Sequence, residues 1–157
     1  MSLTVLESPL AGVAPQAARE GHPVWAEIAP YFTPSEFANP HDMDVAFLRW
    51  IHKVRLRAGV PMRITSDARD PDGDTGADLS AHKKRPCRAV DGQVRGETVD
   101  GVYVPASECL ARIYIATVLE GGVRFGTYKS SRGLGDIWHI DAETHPENPS
   151  PRWWTKW

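Results

Sequence analysis

The stretch Asp42-Met43-Asp44-Val45-Ala46-Phe47-Leu48-Arg49-Trp50-Ile51-His52-Lys53-Val54-Arg55 sets Val45, Leu48, Ile51 and Val54 three residues apart, with Phe47 and Trp50 widening the same stripe. Apolar residues at that interval line one side of a helix, so the stretch predicts an amphipathic helix. Asn39, Pro40 and Asp42 supply start signals and Gly59 a stop, which bounds it at about Asp42 to Arg57. Immediately downstream, Pro61-Met62-Arg63-Ile64-Thr65-Ser66 reads as a short strand.

Working outward, a second helix is expected from Pro105 to about Glu120. Proline opens its first turn, Leu110, Ile113, Tyr114 and Val118 follow at helical spacing, and Gly121-Gly122 closes it. Short strands are expected at Ala89-Val90-Asp91 and Gly101-Val102-Tyr103-Val104, then at Val123-Arg124-Phe125-Gly126 and Ile137-Trp138-His139-Ile140-Asp141. Helices separated by an irregular set of strands imply an α+β fold: a small single domain with two main helices packed on a short, mainly antiparallel sheet. Residues 1–22, rich in Ala, Pro and Gly without a sustained period, read as an extended or partly ordered arm ahead of a domain over 23–157. The tail Pro151-Arg152-Trp153-Trp154-Thr155-Lys156-Trp157 is unusually aromatic, as though to pack over a groove or the core.

Composition narrows the function. With 157 residues, 41% hydrophobic and 24% charged, the chain is globular in type and long enough to bury its own core. A net charge of -2 argues against a protein that coats nucleic acid. No apolar run approaches the roughly 18 residues of a membrane span, and Met1 to Glu20 lack the pattern of a secretory signal. A soluble monomer made in the cytoplasm is expected. The two cysteines, Cys87 and Cys109, are too few for a disulfide scaffold or an all-cysteine zinc site.

The histidines carry the chemistry. His82 lies in Ser80-Ala81-His82, His139 in Asp136-Ile137-Trp138-His139, and Asp91 closes a strand. Two imidazoles and one carboxylate suit zinc, since they fill three tetrahedral positions and leave the fourth for water, whose pKa then falls toward neutrality. A nearby carboxylate must move the proton, and Asp136 is the candidate general base. Residues three apart on a regular strand face opposite sides, so this role requires Asp136 to lie in a turn or bulge, which Gly133 and Gly135 would permit. Asp141 shares a side with His139 and is left as a partner behind it or a spare ligand.

Ser80-x-His82, Ala89-x-Asp91 and Asp136-x-x-His139 together resemble the signature of the D-Ala-D-Ala carboxypeptidase family of zinc peptidases, which includes phage L-alanyl-D-glutamate endopeptidases used as endolysins. Ile64-Thr65-Ser66-Asp67-Ala68-Arg69 resembles the family strand that ends in an arginine near the substrate, and Phe32-Thr33-Pro34-Ser35-Glu36-Phe37 the segment before its first helix. The resemblance implies His82, Asp91 and His139 as zinc ligands, Asp136 as base, Arg69 holding a peptide carbonyl or carboxylate, and Ser80 assisting. It implies a peptidoglycan hydrolase acting on the stem peptide, most simply a lytic endopeptidase that reaches the cell wall after release or as a virion component. A D-Ala-D-Ala carboxypeptidase and a non-catalytic zinc-containing wall-binding module are the alternatives. The interval from His82 to Asp91 is two residues longer than the family's and lacks its glycine. An outward bulge would accommodate the excess.

Other features are weaker. Asp70, Asp72, Asp74 and Asp78 alternate as in a calcium loop, but the sixth position lacks glycine and Ala81 stands where a bidentate Glu belongs, which favours a solvated acidic turn. Lys83, Lys84, Arg85 and Arg88 form a basic run that is either solvated or a lure for an anionic wall polymer. Cys87 lies in the longer interval near the ligands, but the resembled family uses no cysteine ligand, which argues against its competing for the metal, and Cys109 reads as a small core residue on the second helix. His22, His41, His52 and His145 read as solvated or helix-surface residues.

Overall fold

The computed structural model describes residues 7–73, 80–129, 136–143 and 152–156, with the backbone alone at 129, 136 and 152–156. A short helix α1 (Val24–Ile28) precedes the main helix α2 (Val45–Ala58). Asp44 stands in extended backbone at the start of α2, where its Oδ1 accepts the Phe47 amide at 2.9 Å and its Oδ2 the Gln16 amide at 3.0 Å. This cap satisfies one of the amides that a helix start leaves open. Gly59 ends α2 in a left-handed conformation (φ 63°), as a C-terminal glycine does. Helix α3 (Ala106–Leu119) follows Pro105 and packs against α2, with the Trp50 indole donating to the Glu120 carbonyl at 2.8 Å.

The strands are β1 (Arg63–Ser66), β2 (Ala89–Gln93), β3 (Glu97–Val99), β4 (Val102–Val104), β5 (Arg124–Lys129), β6 (Asp136–Asp141) and β7 (Arg152–Lys156). Five form one sheet in the order β1-β2-β6-β5-β7, antiparallel except for β7, which runs parallel to β5 at the edge. The other two make a separate ribbon, β3–β4. The α+β expectation therefore holds, with two main helices and a mainly antiparallel sheet. The aromatic tail contributes its backbone as an edge strand, while its side chains lie outside the described residues.

Alternation divides the central strands between two faces. Val90, Trp138, Ile140 and Phe125 are buried in the core cluster with Phe47, Leu48 and Ile51 of α2 and Ile113 and Ala116 of α3. Gly92 pairs with Trp138, and a Cβ placed there would stand 2.0 Å from the indole Cζ2, so the ring lies where any side chain at 92 would be. Asp91, His139 and Asp141 occupy the other parity and face the site.

The described part of the N-terminal arm is tied down without regular structure. Ala18 is fully buried, Ala17 bridges to Asp44, and the Ser8 hydroxyl donates to the Ala142 carbonyl at 2.6 Å. No helix among the described residues is long and apolar enough to cross a membrane.

Candidate metal centre

The register of β2 against β6 sets Asp91 directly across from His139. On the other side of β2, a bulge in β1 between Ile64 and Ser66 brings Ser66 level with Asp91, so the chain leaving β1 passes beside the carboxylate. His82 arrives from a 3₁₀ turn, Ala81–Lys83, whose position is fixed by the Arg69 amide donating to the His82 carbonyl at 2.8 Å.

The long His82-to-Asp91 interval is exposed at Lys84 and Arg85 and then turns inward at Cys87. Cys87 is buried, its amide donates to the Asp42 carbonyl at 2.7 Å, and its own carbonyl accepts the Asp44 amide at 2.9 Å. The extra residues thus cross to the start of α2, where unpaired main-chain groups are available to hold them.

Around one point stand His82 Nε2, His139 Nδ1 and Asp91 Oδ1, all within 4.8 Å of one another. The two imidazole nitrogens are 3.2 Å apart, and Asp91 Oδ1 lies 3.3 Å from His82 and 2.7 Å from His139. The outer nitrogens are engaged elsewhere: His82 Nδ1 with the Asp67 carbonyl at 2.7 Å, and His139 Nε2 with Asp141 Oδ2 at 2.8 Å. The Asp67 carbonyl keeps the His82 proton on Nδ1, so His82 Nε2 presents a lone pair. His139 instead meets a carboxylate oxygen at each ring nitrogen and without a metal carries a proton on both, the inner one being the proton a metal would replace. Three converging electron pairs, buried together, need a positive charge between them.

A proton or a metal ion meets that need. Donors at zinc-ligand distance in a tetrahedral set stand about 3.3–3.5 Å apart. The His82–Asp91 spacing falls in that range, the histidine pair lies just below it, and the His139–Asp91 contact has hydrogen-bond length. The residues fit a divalent metal once His139 and Asp91 part by about half an ångström. Without a metal, burial alone would lower the His139 pKa, but hydrogen bonds to Asp141 and Asp91 more than reverse this and push it up to about 9. Burial likewise opposes the charge on Asp91, yet hydrogen bonds from His139 and His82 hold its carboxyl well below the usual range. No protein-family model matches the chain, and no curated protein or solved structure matches it either. The site is therefore read from its own atoms.

The other expected residues distribute as follows. Arg69 donates through Nη2 to Asp91 Oδ2 at 2.8 Å and through Nε to Ser66 Oγ at 3.1 Å, which aims Asp91 Oδ1 at the histidines. Ser80 immediately precedes the His82 turn, and its carbonyl accepts the Lys83 amide at 3.0 Å. Asp136 is the first residue of β6 and pairs with Lys129 in an uninterrupted register through Ile140, so strand pairing stands where a turn or bulge was expected. Its side chain lies outside the described residues, as do Gly133, Gly135, His145 and positions 74–79 of the acidic run.

The basic run is only partly turned in: Lys84 and Arg85 are exposed, while Lys83 is buried and Arg88 half-buried. Lys83 Nζ donates to the Gly73 carbonyl at 2.8 Å, Arg85 to the carbonyls of His82, Lys84 and Arg69, and Arg88 to the Val13 carbonyl at 2.8 Å and Asp44. Cys87 turns its thiol to the Ala89 carbonyl at 3.4 Å rather than joining the histidine cluster, and burial pushes its pKa up to about 12. Both cysteines are free.

Two contributors escaped the sequence reading. Tyr128, on the same face of β5, hydrogen-bonds Asp91, and burial together with that carboxylate's charge raises the phenol pKa. Arg124 binds Asp141 Oδ1 at 2.6 Å while buried. An arginine between Val123 and Phe125 at the start of a strand was the available signal, because a buried guanidinium requires an acidic partner.

Proposed function

We propose that this chain is a zinc-dependent peptidase that hydrolyses an amide bond in the stem peptide of peptidoglycan, in the manner of a phage-type lytic endopeptidase. The observation that carries the reading is the convergence of His82 Nε2, His139 Nδ1 and Asp91 Oδ1 with both outer imidazole nitrogens already engaged. Two neutral nitrogens and one anionic oxygen favour zinc over the hard cations that take oxygen ligands alone. His82, Asp91 and His139 would hold the zinc, which when bound would supply Lewis acidity near neutral pH.

The chain's own residues supply the rest. The resemblance gives Asp136 the task of taking up the proton of the attacking water and returning it to the departing amine. The regular Lys129–Asp136 pairing sets position 136 at the parity opposite His139, so this role requires the start of β6 to turn, and the Asp136→Ala variant decides it. Arg69, anchored through one Nη and Nε but with its side chain 28% exposed, has donors left for a substrate carbonyl or carboxylate. Asp141 cannot readily replace Asp136 as base, because its oxygens are committed behind His139. The substrate class is supported by the resemblance of the Ser80-x-His82, Ala89-x-Asp91 and Asp136-x-x-His139 pattern to the D-Ala-D-Ala carboxypeptidase family.

Digestion of purified peptidoglycan with the zinc-loaded protein tests the proposal. New amino and carboxyl ends within the stem peptide are expected, abolished by chelation, restored by zinc, and lost in Asp136→Ala with metal content unchanged. Release of free D-alanine alone would move the reading to a D-Ala-D-Ala carboxypeptidase. Wall binding without cleavage by the zinc-replete protein would leave a non-catalytic module. Loss of hydrolysis in Asp141→Ala but not Asp136→Ala would remove the base assignment.

A further inference from the structure

We infer that Arg124 is a positioning residue for the metal centre, acting through Asp141 on His139. The inference rests on the metal reading above and deepens it by naming what fixes the orientation and donor strength of one ligand.

The two histidines are backed differently. Behind His82 Nδ1 is the main-chain carbonyl of Asp67, a neutral acceptor that cannot rotate away independently of the backbone. His139 Nε2 instead faces a side-chain carboxylate, Asp141 Oδ2. A carboxylate has two like oxygens and rotates freely, so alone it defines the ring poorly. Here Oδ1 is occupied by Arg124 Nε at 2.6 Å and by the Glu143 amide at 3.1 Å, which leaves Oδ2 for the ring. The β5–β6 register explains the geometry: Gly126 pairs with His139 and Phe125 with Ile140, so Arg124 comes level with Asp141 on the site face.

Burial turns this contact into a constraint. Arg124 is 6% exposed and Asp141 1%, so rotating either one away would strand a charge out of water. With the carboxylate locked, the Nε2 proton of His139 stays in place, so a metal would displace only the proton between Nδ1 and Asp91. Hydrogen bonding to a carboxylate also makes an imidazole a stronger donor to a metal than hydrogen bonding to a carbonyl. The guanidinium balances that carboxylate as Arg69 balances Asp91, so the two carboxylates that contact His139 each carry a counter-charge.

The test compares Zn2+ and Co2+ binding by the full chain with Asp141→Asn, Arg124→Gln and Arg124→Lys, using chelator competition and the Co2+ absorption spectrum. Melting of each metal-free protein reports folding separately. Asp141→Asn keeps an acceptor for the ring but removes the charge, and should weaken Zn2+ binding by about 10–100-fold. Arg124→Gln should weaken it in the same range and shift the Co2+ spectrum, while Arg124→Lys should recover part of both. A purely structural arginine would lower melting without moving the spectrum. If Arg124→Gln does not fold, Asp141→Asn and Arg124→Lys carry the comparison. Wild-type affinity and spectrum in the folded variants would overturn the inference while leaving the metal reading intact. Absence of metal binding by the wild type would instead remove both.

Discussion

The two faces of the β2–β6 pair are made from alternate residues of the same short strands, yet they are held by opposite physics. On the core face, Val90, Gly92, Trp138 and Ile140 are close-packed and apolar, and what matters is volume. On the site face, Asp91, His139 and Asp141 are as deeply buried, but they are ionisable and stay there only because each oxygen and nitrogen has a partner. On the core face the Trp138 indole N–H is the one polar group, buried without a partner among the described residues. At the site face, three donor atoms converge on a point that still needs a cation or a proton. A fold that already has an adequate core gains little from such a cluster, which is the physical case for reading it as functional.

Perturbing the core face should give the largest loss of stability. Trp138→Ala removes a fully buried indole and should cost about 3–5 kcal/mol in urea unfolding. Gly92→Ala drives a methyl into that indole and should cost about 1–3 kcal/mol by the same measurement.

The site face should answer to pH and metal instead. Protonation of His139 is favoured by folding, so its contribution is fully present below the unfolded pKa of 6.5 and is lost as pH rises through about 9. Melting of the metal-free protein should therefore fall across that window. The zinc-loaded protein should not show this fall, because the metal replaces the proton, and zinc affinity should rise over the same range. The smallest effect belongs to neither face. Arg112→Ala breaks only an exposed pair with Glu108 on α3 and should change stability by less than about 0.5 kcal/mol.

The sequence was legible where a local period exists. Val45, Leu48, Ile51 and Val54 announced α2 because helical spacing is a property of neighbours, and Asp44 and Gly59 bounded it for local reasons. α1 is too short to show a period, Glu97-Thr98-Val99 is too polar to read as a strand, and β7 is defined by pairing with a distant strand. Within the site, the residue types of His82, Asp91 and His139 pointed to metal chemistry before any geometry did. What could not be read were the long-range hydrogen bonds: Cys87 crossing to α2, Arg69 turning to Asp91, and Arg124 backing Asp141. Of the run Lys83, Lys84, Arg85 and Arg88, the solvated reading holds for exposed Lys84 and Arg85, whereas the inward turn of Lys83 to Gly73 and of Arg88 to Val13 depends on acceptors distant in sequence.

Metal content decides the central claim most directly. Protein purified without added chelator and dialysed against zinc should hold about one equivalent per chain. His82→Ala, Asp91→Ala and His139→Ala, checked for folding by circular dichroism, should each lose it. A wild-type chain that retains no zinc, or variants that bind it as well as the wild type, would contradict the account.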